Sequence, residues 1–322
     1  MGTQVAARPP LRAWLILAVA ILAVSSAGAV FRTMADVGPL LKAAWRLQAT
    51  ALVLLLPFLW QLRQIEWTWR RDDALLMLAS GACLWIHFGA WVWSLDHTSL
   101  THSLLFVTSH AIIIVAIMAI MGMRPNRLEW LGAGLGVAGG AIALRDATAG
   151  GEVTLIGDFA AFVGALAIVG YLAVGRRLRS ERQMPLFLYA FPVTVIGALL
   201  LTAHAMFAEG AAFGAPDQLA VFGWTGAAFI LPAAYLALGP GLAGHTGINA
   251  SLRWLPPLVI SVAVVAEPVI GSAIGFALGV ESIPGVWTLL GGPVMLAGIT
   301  AAILGSSRRL AQEGSTDVAE PE

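Results

Sequence analysis

Charge is what this chain has least of: 11% of its 322 residues are Asp, Glu, Lys or Arg, against about 25% in a soluble globular domain. So few charges cannot clothe a water-facing surface, which excludes a soluble enzyme and the disordered and fibrous classes. Neither sign is in excess, with 18 Lys and Arg against 18 Asp and Glu, so there is no basic field to attract nucleic acid. Cysteine is nearly absent. Cys83 alone forms no intramolecular disulfide, and its apolar setting reads as a small buried hydrophobe. No phosphate-binding loop and no clustered metal ligands are present, so neither ATP nor a metal or cofactor is expected.

Long apolar runs fill the space that charge vacates. Hydrophobic residues make up 59% of the chain and mean hydropathy is +0.84. A spanning helix needs about 20 mostly apolar residues, at about 1.5 Å of rise each across a hydrocarbon core of about 30 Å. Ten windows meet this: 13–31, 39–60, 74–95, 99–121, 128–144, 157–175, 185–206, 229–252, 256–279 and 285–304, with 220–228 a separate interfacial turn. The expected class is an all-α polytopic membrane protein with ten transmembrane helices.

Orientation follows from the excess of Lys and Arg in cytoplasmic loops. Of the 18 basic residues, 14 fall on the side of the N-terminus, Arg32 and Arg145 on the other, and Lys42 and Arg46 within the second span. Both termini are therefore expected in the cytoplasm, residues 1–12 as the cytoplasmic N-terminus and 305–322 as a disordered polar tail. A cleaved signal peptide is the competing reading of the first span, since Arg8 and Arg12, an apolar stretch and Ala27, Gly28 and Ala29 match its three regions. Cleavage would reverse the charge bias.

Shifted against itself by 158 residues, the sequence superimposes His87 and Gly89 on His245 and Gly247, Ser109 and His110 on Glu267 and Pro268, and Met123 on Glu281. Each half then holds five spans, 13–144 and 157–304, joined by an extracytoplasmic linker at 145–156. An odd number of spans forces opposite orientations, giving two inverted five-helix repeats, a plan recurrent in secondary transporters.

The stretch from Gly244 to Ile299 carries Gly-His and Asn in span eight, Glu267 and Pro268 in span nine, Glu281 at that span's end and a Gly-rich last span. It resembles the second EamA domain of the drug/metabolite transporter superfamily. Arg46 in "AAWR" and the run "SLDHTSLTHSLLFVTS" are similar to the first. His110 and Met123 depart from the pattern, which usually has Pro and an acidic residue there. The resemblance implies a ten-helix export carrier of the bacterial inner membrane for amino acids, other metabolites or drugs.

An ionisable group at mid-bilayer costs about 2.5–3.5 kcal/mol, so it faces a cavity or a partner. Glu267 lies near the middle of span nine, where Pro268 frees the carbonyl of Val264. It is read either as a proton or ammonium site or as a structural brace. His87, His110 and His245 are candidates for the same cavity, each with a neutral, hydrogen-bonded imidazole as the alternative. Arg46 is placed to attract a carboxylate or to bond backbone carbonyls, and Lys42 to reach the interface. Trp91 and Asn249 align across the repeat and join the substrate-binding set. Gly239, Pro240 and Gly241, with Pro268, are the expected bending points. Asp96, His97 and His102 read as entrance polarity. Gly134, Gly136 and Gly139 spell a dinucleotide fingerprint, but inside a span they suit close helix packing instead.

The function these features predict is a secondary transporter working by alternating access. Glu267 and then His110 are the candidate proton-coupling residues. The partners would be a small-molecule substrate, protons and the lipid bilayer, with no nucleic acid, and the state a monomer or homodimer. An uncoupled facilitator or channel is the alternative; scattered His, Ser and Glu offer no catalytic cluster for a membrane-embedded enzyme.

Overall fold

A computed structural model of the chain describes residues 9–148, 151–251, 255 and 263–316. Among these, every regular element is helical; the only extended pairing is one isolated bridge, Ala212 with Ala220. In a bilayer a lone helix satisfies its own backbone, so apolar runs of this length fold no other way. The first part comprises α1 (Leu11–Arg32), α2 (Pro39–Gln64), α3 (Arg71–Leu95), α4 (Leu100–Val107), α5 (His110–Ile120) and α6 (Arg127–Ala143). The second comprises α7 (Leu155–Arg176), α8 (Leu186–Ala208), α9 (Ile230–Leu236), α10 (Gly247–Ser251), α11 (Glu267–Ala277) and α12 (Val286–Thr316).

Seven helical stretches are long and apolar enough to cross a membrane, α4 and α5 counting together as one. The protein is a multi-pass membrane protein. The other three expected spans take different forms. The fifth is α6, only 17 residues long. The eighth runs from α9 through a wide π-helical stretch, Ala237–Thr246, into α10. The ninth is α11, preceded by 256–262, outside the described residues.

Two spans break at matched places. The fourth is interrupted at Thr108 and Ser109 and restarts at His110; the ninth is interrupted at Val265 and Ala266 and restarts at Glu267, with Pro268 in its first turn. Pro is tolerated there because a first-turn N–H has no helical partner. Each restarted helix ends in a glycine with positive φ, Gly122 at 76° and Gly279 at 69°. His110 therefore stands opposite Glu267, at a shift of 157 and not 158.

The packing pairs repeat the same exchange. α6 packs on α12 and α2 on α8; α3 lies on α7 as the π stretch lies on α1, and α5 lies on α7 as α11 lies on α1. Caps are also reciprocal. Glu209, after α8, accepts from Leu40 N–H and Leu41 N–H at the start of α2, at 2.8 and 2.9 Å. Gln61, near the end of α2, accepts from Phe187 and Leu188 N–H at the start of α8, at 2.7 and 3.1 Å. These carry off donors that a helix N-terminus otherwise leaves unsatisfied.

The polar tail expected from 305 begins later. α12 continues to Thr316, because Glu129 of α6 accepts from Ser306 Oγ at 2.7 Å and pairs with Arg309 at 3.3 Å. Residues 317–322, like 1–8, lie outside the described residues.

Candidate functional site

Arg46 sits two turns into α2 and is 2% exposed. Its guanidinium carbon lies 4.4 Å from the ring centre of Phe88, 5.7 Å from Phe31 and 5.9 Å from Trp91. Aromatic faces attract a cation, by about 2 kcal/mol when desolvated. They do not replace hydrogen bonds, and Nη1 has no partner among the described residues. The carboxylate whose charge acts on Arg46 is Glu267, half-buried at the first residue of α11. The alternative for Arg46, bonding to backbone carbonyls, is therefore not what occupies Nη1.

A cavity of about 60 Å³ runs from Arg46 towards the Arg-rich end, past Thr50, Tyr171, Tyr189, Thr194 and His245. It holds a few waters and is far below the roughly 300 Å³ of a metabolite pocket. The helices around it must part to admit a solute.

Of the histidines, His87 is buried, and its Nδ1 meets the Gly164 carbonyl at 2.9 Å. Gly164 permits that approach, since a Cβ there would come 3.3 Å from the His87 carbonyl oxygen. The His87 ring stacks on Trp91, centres 6.1 Å apart. His245 lines the cavity edge-on to Phe88 at 6.3 Å. His110 bonds the Val107 carbonyl across the break in the fourth span and interacts electrostatically with His87. Trp91 is 4% exposed, packed within protein, and its indole N–H has no partner among the described residues. The Asn249 side chain lies outside what is described. Gly239, Pro240 and Gly241 fall in the π stretch, whose wider turns absorb the N–H that Pro240 lacks. Gly241 brings it against α2: a Cβ there would sit 2.7 Å from Thr50 Oγ1.

The model of the EamA-like transporter family matches residues 11–145. Over that stretch the chain is similar to EamA-like transporters, a likeness that points to a membrane transporter of small solutes. A solved crystal structure shares the fold with a TM-score of 0.59 at 19% sequence identity, covering 91% of this chain and 98% of that chain. That fold likeness covers both halves of the chain. No curated protein matches the chain in sequence.

The end of the bundle poor in Arg is pinned by ion pairs. Lys42, expected to reach the interface, is instead fully buried and bonds Asp96 at 2.6 and 2.8 Å. Arg32 pairs with Glu281 at 3.0 Å and bonds the carbonyls of Leu95, Thr98 and Val280. Glu281 also accepts from Leu100 N–H at 2.8 Å, capping α4. His102, expected as entrance polarity, is fully buried. The aromatic faces of Phe31 and Phe88 carried no signal in the sequence; only the three-residue step from Phe88 to Trp91 hinted that they share a helix face.

Proposed function

We propose that the protein is a secondary transporter of the bacterial inner membrane. On this reading ten spans form two inverted five-helix halves, both termini lie in the cytoplasm, and small metabolites such as amino acids, or drugs, leave the cell by alternating access. The matched breaks before His110 and Glu267, the paired glycines and the exchanged packing partners support the inverted repeat. The observation that carries the substrate reading is the Nη1 of Arg46, buried without a partner among the described residues, on a side chain that lines the cavity. A carboxylate on the solute would satisfy it, with the apolar part lying on Phe88 and Trp91. Asn249, His87 and His245 complete the binding set.

Coupling is assigned to Glu267 first and His110 second. Glu267 either holds a proton or faces the ammonium group of a substrate whose carboxylate lies on Arg46. Proton and substrate thus exclude one another at the site, as outward transport driven by inward proton flow requires, with bending at Pro268 and at Gly239, Pro240 and Gly241. In liposomes, substrate flux should respond to an imposed pH gradient and drive uphill accumulation. Glu267→Gln should abolish the accumulation and His110→Ala weaken it. Flux that is only downhill and indifferent to both substitutions would establish the uncoupled facilitator instead.

A further inference from the structure

A second cluster of buried titratable groups lies outside the Arg46 cavity, at the Arg-poor end between α4, α7, the 3-10 turn Leu144–Thr148 and α12. His102 has no exposed surface, and both its ring nitrogens are engaged. Nδ1 is 2.9 Å from Asp158 Oδ2, and Nε2 is 2.6 Å from the Thr288 hydroxyl. That hydroxyl is 2.5 Å from Asp146 Oδ2. The other Asp158 oxygen accepts from the Thr98 hydroxyl at 2.7 Å, and Asp146 Oδ2 also accepts from Thr288 N–H at 2.7 Å. Asp158 is 2% exposed and Asp146 6%.

Hydrogens can be counted along this row. The three contacts joining Asp158, His102, Thr288 and Asp146 each need one. A neutral imidazole supplies one, the threonine hydroxyl a second, and ionised carboxylates none. One further proton is required. Burial pushes the Asp146 carboxyl up, but the Thr288 hydroxyl and the N–H groups of Thr288 and Trp287 outweigh it and hold the group below the usual carboxylate range. Asp146 is thus the ionised acceptor, the Thr288 hydroxyl points to it, and the Thr288 oxygen accepts from Nε2–H. The additional proton falls between Nδ1 and Asp158.

We propose that His102 and Asp158 form a proton-binding site, bridged through Thr288 to Asp146, that fastens the Arg-poor end shut. α4 belongs to the first half of the chain and α7 and α12 to the second, so the proton ties the halves together. Without it two hydrogens are left for three contacts, so whichever tautomer the imidazole adopts, one pair of acceptors faces each other in a dry site and the row is weakened. The closed end binds the proton more tightly than the open end. Falling pH therefore favours closure and rising pH favours opening. The other charges of this end are engaged elsewhere: Arg32 with Glu281 and Glu152, Lys42 with Asp96, and Arg145 over the Trp287 ring. Glu281 accepts from Thr101 N–H and the Thr101 hydroxyl, one residue before His102.

The test needs no transport substrate, so it stands apart from the transporter reading. In lipid nanodiscs, with Cys83→Ser as background, a reporter at Ser103→Cys, which is fully buried in the closed end, is labelled with a charged maleimide. Rates are divided by those of a reporter at the exposed Thr33. The quotient should rise with pH by up to about tenfold per unit where the proton leaves. Asp158→Asn, whose amide donates to Nδ1 as the proton does, should keep labelling slow at every pH. His102→Gln should also abolish the pH dependence. A flat quotient in the parent, or the parent's pH dependence persisting in either variant, overturns the proposal.

Discussion

Lys42 and Asp96 share one ion pair but not one environment. The ammonium side is wholly buried and the carboxylate side 25% exposed. An unpaired charge in a dry site is costly, whereas an exposed one is rehydrated. Removing Asp96 should therefore hurt more than removing Lys42. Asp96→Ala should lower the unfolding free energy by about 3–5 kcal/mol, and Lys42→Met, which keeps the reach of the side chain without its charge, by no more than about 1 kcal/mol. Thermal melting of the two variants in one detergent decides it; equal losses would mean that the pair contributes as a unit. The same asymmetry explains why Lys42 was misplaced from sequence. Its depth along α2 suggested reach to water, but the partner that holds it down is 54 residues away. His102 was misread for the same reason, its partners lying 56 and 186 residues distant.

Between α6 and α12 the contact is made by glycines. A Cβ on Gly132 would come 2.3 Å from Ala302 N, one on Gly139 2.3 Å from Met295 N, and one on Gly298 2.3 Å from Gly136 N. These are backbone atoms, so a methyl group cannot be accommodated by turning a side chain; the helices must separate. Lipid gives no hydrophobic drive for helix pairing, so close backbone packing is what the pair has. Gly139→Ala should destabilise by roughly 1–3 kcal/mol, while Gly134→Ala, with nothing within 4 Å of its Cβ, should be neutral or slightly stabilising. Chemical unfolding followed by circular dichroism would show the difference, and an equal response would place the contact elsewhere. This element was legible: small residues at four-residue spacing inside an apolar run have one physical use. The break before Glu267 was legible too, through Pro268. The matching break at Thr108 and Ser109 was not, because no proline marks it; hydroxyls bonding back to Leu104 and Phe106 stand at it instead.

At the scale of the whole molecule, composition and hydropathy carried the class, since a bilayer accepts few backbone solutions, while the site needed the fold. Arg46 and Glu267 are 221 residues apart in sequence, and only the folded bundle makes each the other's charge partner. Alternating access adds a demand that a fixed pore does not: α4 and α11, one from each half, must move apart at the Arg-poor end in every cycle. Their closest polar contact there is Thr101 Oγ1 to Ser272 Oγ, 2.9 Å. Thr101→Cys with Ser272→Cys, in the Cys83→Ser background, places two thiols in that contact. Oxidation to the disulfide should stop flux in liposomes and a reductant should restore it, while each single variant stays active under both conditions. A facilitator whose path needs no parting of α4 from α11 would conduct through the oxidised form unchanged, so persistent flux after complete cross-linking would remove alternating access from the account of this protein.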